Sequence, residues 1–276
     1  MKEYLHNHFD QAKLMDVFDE LPLWSAPFGL KLLDYIDYKQ AISALDIGYG
    51  SGFPLTEVAM RLGADSKVYG IDPWQEAISR TKKKLDYYGI SNTTLLEGYA
   101  ECIPLADDSL DLIVSNNGIN NVQNIDAVIK ECARLMKSGG QFLQTMNLDG
   151  SMFEFYAELE AVFVELGMDD RVEDIHGHIA AKRPSVAGIQ KLIEQNGFMI
   201  KDIEYDQFDY RFASGTALFN HYFIRLAFMQ SWIGLIPEAR VEDVFDRVER
   251  RLNVHASRLG CIKLSIPYVL INAVKV

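Results

Sequence analysis

One stretch constrains this chain more than any other. Ala44-Leu45-Asp46-Ile47 reads as a buried strand that runs into the turn Gly48-Tyr49-Gly50-Ser51-Gly52 and then into a helix-period segment. Glycines permit φ > 0 and let a ligand lie against bare backbone, and a helix start offers free N–H groups. Twenty residues beyond Gly52 a second apolar strand, Val68 to Ile71, ends in Asp72. A carboxylate there is placed to accept both hydroxyls of a ribose lying across the strand tips. Glycine-rich turns also serve only to pack strand against helix. The distance to an acidic strand end is what favours a nucleoside site.

The rest of the chain sets the frame. From Ile42 to about Phe208, short apolar runs alternate with helix-period segments, the pattern of a doubly wound α/β fold with a mostly parallel sheet. Strands are expected at Ser43–Ile47, Val68–Ile71, Thr94–Leu96, Leu110–Ser115, Gln141–Met146 and Ile200–Tyr205. Helices are expected from about Pro54 to Leu62, Trp74 to Tyr88, Asn124 to Lys137, Phe153 to Leu166 and Ser185 to Asn196. Residues 208–260 read as mostly helical. A last strand, Val269 to Val276, closes the chain with Pro267 at its entrance, because proline cannot donate to a ladder. One domain is expected: a cap over 1–40, a core over 41–207 and 261–276, and a helical lid inserted over 208–260.

The loop also discriminates among nucleotides. A dinucleotide fingerprint is G-x-G-x-x-G, in which a helix N-terminus faces a pyrophosphate. Here the spacing is G-x-G-x-G, followed by Phe53-Pro54. Asp46 adds a carboxylate behind the loop that would repel a pyrophosphate and help hold a cationic amino acid moiety, directly or through water. A ligand with a ribose, an ammonium group and no phosphate suits this loop.

Four blocks in order carry a resemblance. They are Leu45-Asp46-Ile47-Gly48-Tyr49-Gly50-Ser51-Gly52, then Val68-Tyr69-Gly70-Ile71-Asp72-Pro73, then Gly98-Tyr99-Ala100-Glu101-Cys102-Ile103-Pro104-Leu105, and Ser109 to Val122. Together they resemble class I S-adenosylmethionine-dependent methyltransferases, in particular the ubiquinone/menaquinone C-methyltransferase-like branch. The resemblance implies a seven-stranded Rossmann-like sheet with its last strand antiparallel, between strands five and six, and S-adenosylmethionine as cofactor. It implies that Gly48, Gly50 and Ser51 line the methionine part, that Asp72 holds the ribose, that Tyr99 and Ala100 face the adenine, and that Asn116 contacts the cofactor after strand four. Asp46, Gly52, Pro73, Trp74, Glu101 and Asn117 complete the expected cofactor set. Tyr99 stands where the family often has Asp or Asn, and Asn120, assigned to the acceptor, stands where the quinone enzymes have Arg.

Composition narrows the partners. The 276 residues carry a net charge of −12, which disfavours phosphate backbones and anionic lipids. No apolar run approaches the roughly 18 residues of a membrane span, and the polar start does not read as a signal peptide. Three dispersed cysteines fit a reducing cytoplasm. No metal site is expected, His176-Gly177-His178 having no partner cluster nearby, and Lys82-Lys83-Lys84 reads as a solvated helix face. The expected partner is a small-molecule acceptor, enclosed by the aromatic segment Phe208–Pro237 together with Leu21–Leu33. His221 and Arg225, four apart and so on one helix face, would orient it, with His221 as candidate general base. The competing readings are an NAD(P)-dependent oxidoreductase and a non-catalytic S-adenosylmethionine-binding protein.

Overall fold

The computed structural model describes residues 2–6 and 24–276. Seven strands form one sheet in the order β3-β2-β1-β4-β5-β7-β6. They are β1 (Ser43–Ile47), β2 (Lys67–Asp72), β3 (Thr93–Glu97), β4 (Leu110–Asn116), β5 (Met136–Asn147), β6 (Phe198–Phe212) and β7 (Ile262–Lys275). β1 pairs in parallel with both β2 and β4, so the strand order reverses beside it. β7 runs antiparallel to β5, from Gln141↔Val274 to Asn147↔Tyr268, and lies between β5 and β6 as the family resemblance implies.

The helices include α1 (Ser25–Asp34), α2 (Leu55–Leu62), α3 (Gln75–Tyr88), α4 (Ile125–Leu135), α5 (Phe153–Glu165), α6 (Val172–Lys182), α7 (Val186–Gln195), α8 (Gly215–Asn220) and α9 (Val241–Leu259). Strand alternation sends Leu45 and Ile47 to one face, against Val128, Ile129, Cys132 and Leu135 of α4 and Ile189 and Ile193 of α7. It sends Ala44, Leu112 and Val114 to the other, against Leu32 and Leu33 of α1 and Leu55, Val58 and Leu62 of α2. Among the described residues no helix is long and apolar enough to cross a membrane.

Contacts group the described residues into two units. The sheet unit holds 24–148, Arg183–Asp206 and Tyr268–Val276. The helical unit holds residues 2–6, Asp149–Lys182 and Gln207–Pro267. Its core is aromatic: Trp232 is fully buried and stacks on Phe155 with centroids 3.9 Å apart, and Phe219 packs edge-on to Phe245. The carboxylate of Glu249 on α9 accepts from Lys2, from the Tyr4 hydroxyl at 2.7 Å and from the Thr216 hydroxyl at 2.6 Å.

Three strand boundaries and one helix differ notably from the sequence expectation. β5 starts at Met136, with the Gly139-Gly140 pair inside the strand, where its register with β4 shifts between Leu110 and Leu112. A helix-ending glycine pair and a bulge look alike in sequence. β6 continues to Phe212, seven residues past the expected end at Tyr205. It is an edge strand studded with Lys201, Asp202, Glu204 and Asp206, and such charges guard an edge while hiding its alternation. β7 begins at Ile262, so Pro267 lies within the strand and not at its entrance; it stands just ahead of Tyr268, where pairing to β5 begins, so that ladder needs no N–H from it. Finally, α6 was not expected at all. It carries His176, whose Nε2 pairs with Glu160 at 3.0 Å.

Candidate active site

The carboxyl ends of β1, β2 and β4 converge at the strand-order reversal, where ligands of doubly wound sheets bind. The loop after β1 bends through φ of +75° at Gly48, +52° at Gly50 and +109° at Gly52, a region closed to most side chains. Its glycine amides are committed internally. Gly48 N–H donates to Ile71 O at 2.9 Å, Gly50 N–H to Asp72 Oδ2 at 2.9 Å, and Gly52 N–H to Tyr49 O at 2.9 Å. A pyrophosphate cradle needs such amides free, so this loop is ill-suited to a dinucleotide. A Cβ built on Gly50 would meet nothing within 4 Å, so the bare backbone there faces open space.

Asp72 at the end of β2 accepts one N–H per oxygen, from Gly50 and from Trp74, each at 2.9 Å. A carboxylate offers about four lone-pair sites, so acceptor capacity for two ribose hydroxyls remains. Burial raises its pKa, and the Trp74 and Gly50 amides oppose that. Asp46 lies behind the loop and is wholly buried, so of the two expected arrangements, direct or through water, the burial favours the indirect one. Its charge can act only across intervening groups.

Two side chains of α3 hold the loop from below. Thr81 Oγ1 donates to Gly50 O at 3.0 Å and Lys84 Nζ to Ser51 O at 2.8 Å. Neither was singled out from sequence, and Lys84 was read as part of a solvated lysine face. Thr81 and Lys84 are three apart and share the helix side that meets the loop, but their partners are backbone carbonyls, which the sequence does not mark.

After β4 the chain turns sharply. Ser115 Oγ donates to Ile47 O at 3.0 Å and accepts from Ile119 N–H at 3.1 Å, tying this turn to the end of β1. Gly118 is required there, because a Cβ would lie 2.5 Å from the Ile47 carbonyl oxygen. Asn116 accepts from the Thr145 hydroxyl at 3.0 Å and donates to Ser25 O at 3.0 Å, so the start of α1 sits at the tip of β4. Gly29 of α1 packs closely on Phe53 as well. The part of the expected N-terminal cover from Ser25 onward therefore reaches the strand tips, while Leu21–Leu23 lie outside the described residues. Asn117, at φ +56°, accepts from Asn147 N–H at 3.1 Å. Asn120 Nδ2 lies 3.4 Å from Asn147 Oδ1, and Asn120 Oδ1 is buried with no protein partner.

The remaining expected cofactor residues divide. Ser51 and Gly52 belong to the loop, Pro73 is exposed beside Asp72, and Trp74 caps α3. Tyr99 is 67% exposed beyond β3. Ala100 packs into the core with Ile71 and Ile103, and Glu101 Oε1 accepts from Asn124 N–H at 3.3 Å at the start of α4.

His221 and Arg225 belong to the helical unit. They do not share one uninterrupted helix face: His221, at ψ 125°, separates α8 from the turn Tyr222–Ile224, and Arg225 opens the π-helical turn Arg225–Met229. His221 is half-buried with its ring edge-on to Phe212, and its Nδ1 is buried without a partner. Burial lowers its pKa, which favours the neutral ring. Half of the aromatics expected to line a pocket are core: Phe219 and Trp232 are fully buried and Phe212 and Phe223 nearly so, whereas Phe208, Tyr210 and Phe228 are partly buried and Tyr222 is exposed. Core and pocket aromatics have the same composition in sequence, and only packing separates them.

Comparison with known proteins agrees with this geometry. Residues 45–144 match a family described as a methyltransferase domain. The demethylmenaquinone methyltransferase of Bacillus velezensis is 29% identical over 153 residues, covering 55% of this chain and 64% of that protein. The arsenite methyltransferase of Aquipseudomonas alcaligenes is 38% identical over 104 residues, 35% of this chain and 30% of that one. The chain thus spans less than two thirds of the length of these relatives. Among solved structures, geranyl diphosphate C-methyltransferase from Streptomyces coelicolor, in complex with Mg2+, geranyl diphosphate and S-adenosyl-L-homocysteine, superposes with a TM-score of 0.57 at 14% identity, covering 100% of this chain and 88% of that one. The strand order, the glycine loop and the matched segment agree: residues 45–144 are similar to a methyltransferase domain, carried on a seven-stranded sheet with the fold of the solved methyltransferase.

Proposed function

We propose that this protein transfers the methyl group of S-adenosylmethionine to a small-molecule acceptor. The observation that carries the reading is the loop after β1, whose glycine amides are bonded internally while Asp72 beside it keeps acceptor capacity. That combination suits a ligand with ribose hydroxyls and positive charge and no phosphate. When bound, the cofactor supplies a methyl group made electrophilic by its sulfonium. Gly48, Gly50 and Ser51 would hold the methionine part, Asp72 the ribose, and Asn116 would sit against the cofactor from β4. The protein's contribution is positioning and water exclusion. His221, neutral near pH 7, is the proposed proton acceptor for a hydroxyl-bearing acceptor, with Asn120 and Arg225 as proposed acceptor-binding residues. The relatives named for menaquinone and arsenite chemistry act on small molecules, and the net charge of −12 disfavours nucleic acid. Three free cysteines support a reducing compartment, the cytoplasm.

A thermal-shift panel tests the reading. S-adenosylhomocysteine at 100 times its Kd is expected to stabilise by about 2.7 kcal/mol, and NAD or NADP not at all. Stabilisation by NADP alone would make the protein an oxidoreductase. The clamp from α3 gives a second expectation. Thr81→Val removes the bond to Gly50 O and is expected to weaken S-adenosylhomocysteine binding about fivefold, the equivalent of one hydrogen bond of roughly 1 kcal/mol. Isothermal titration reads this directly, and an unchanged Kd would mean that Thr81 only packs.

A further inference from the structure

Asp46 is 0% exposed, and neither carboxylate oxygen has a hydrogen-bond partner. By strand alternation its side chain shares the face of Ala44, the side covered by α2. From α2 the Leu55 N–H exerts a weak opposing pull, short of a formed hydrogen bond. From β2 comes the carboxylate of Asp72, a like charge. From the loop comes Tyr49, a phenol buried without a partner, on which Asp46, Asp72 and Glu97 of β3 all act. From β4 the Ser115 hydroxyl is spent on Ile47 O. An ionised carboxylate in such surroundings lacks both water and a compensating cation, and takes up a proton instead. Burial first and Asp72 second push its pKa up to about 8.

Resting on the S-adenosylmethionine reading above, we propose that Asp46 is a proton-linked counter-ion for the cofactor: it holds a proton in the free protein and releases it to solvent when the cationic cofactor occupies the loop. A positive charge arriving at the loop favours the ionised form, and by reciprocity an ionised Asp46 favours the cation. The sign follows. Because the free protein holds more protons than the complex, binding tightens as pH rises, until Asp46 is already ionised in the free protein near pH 8. The consequence for turnover is selective. S-adenosylhomocysteine carries one positive charge fewer, its sulfur being neutral. Asp46 therefore discriminates donor from spent product, more strongly at higher pH, without touching either.

The test is calorimetric titration of the whole protein with S-adenosylmethionine and with S-adenosylhomocysteine, in buffers of different ionisation enthalpy. Comparison of wild type with Asp46→Asn cancels the ligand's own titration. Wild type is expected to release up to about one more proton per S-adenosylmethionine than Asp46→Asn, and clearly fewer for S-adenosylhomocysteine. The wild-type Kd for S-adenosylmethionine is expected to fall by up to about tenfold per pH unit between about pH 6 and about pH 7.5, beyond any fall in Asp46→Asn. Equal proton release by the two proteins overturns the proposal, as does equal release for the two ligands. Infrared difference spectra of wild type need no variant: loss of a protonated-carboxyl band on adding S-adenosylmethionine supports it, and no such loss overturns it. If neither ligand binds wild type at all, the methyltransferase reading falls with it, an outcome plainly distinct from binding without proton release.

Discussion

Asp72→Ala is expected to weaken S-adenosylhomocysteine binding by about 10²–10⁴-fold. The arithmetic rests on two charge-assisted hydrogen bonds to the ribose at roughly 1.5–3 kcal/mol each. The Gly50 and Trp74 amides lose their acceptor at the same time, so part of the effect would come through a loosened loop. Asp72→Asn separates the two contributions. It keeps one carbonyl acceptor and removes the charge, so it should fall between wild type and the alanine variant. Titration calorimetry on variants shown to be folded by circular dichroism makes the measurement. A Kd unchanged in Asp72→Ala would reduce this residue to a structural clasp for the loop.

Trp232→Ala is expected to destabilise the protein by about 3–5 kcal/mol, the usual range for deleting a large buried aromatic. Trp232 is fully buried between Phe155, at 3.9 Å, and Phe228, at 5.6 Å, and its indole N–H donates to the Tyr156 hydroxyl at 3.2 Å. Its removal leaves a cavity and a buried hydroxyl without that donor. Urea denaturation followed by circular dichroism reads the loss. A loss below about 1 kcal/mol would mean that the aromatics of this segment line an open pocket after all. Replacing His221 or Arg225 with alanine belongs to the other side of that contrast. Neither change should alter S-adenosylhomocysteine affinity, whereas turnover of an acceptor should fall in both.

The sheet and the glycine loop were legible because each depends on local signals that agree. Leu45 and Ile47 alternate with Asp46 on a buried strand, the glycines mark positions of positive φ, and Asp72 ends the next strand at the expected distance. The antiparallel β7 came from the family resemblance, since nothing local marks strand direction. The polar edge β6 was cut short because its charges obscure a period of two. The helical unit was least legible. An aromatic run does not say what it packs against: Phe219 and Trp232 meet Phe155, and Phe219 also meets Phe245, partners far away from them or set only by the fold. Thr81 and Lys84 were passed over for a similar reason: their partners are carbonyl oxygens, which carry no sequence label.

The place of β7 in the sheet also governs the order in which the molecule can be assembled. During synthesis β6 emerges well before β7, yet it has no neighbour to pair with, because β7 is the strand that joins it to β5. Gln141 Nε2 must wait for Asn272 Oδ1, its partner at 3.0 Å and 131 positions further along the chain. Contacts this distant in sequence slow folding. Until they form, two unpaired edges, one on β5 and one on β6, stay open to pairing with other chains. The nascent protein is therefore most prone to aggregation in the interval between making β6 and making β7, and the charges along β6 sit on the strand that must remain soluble through it.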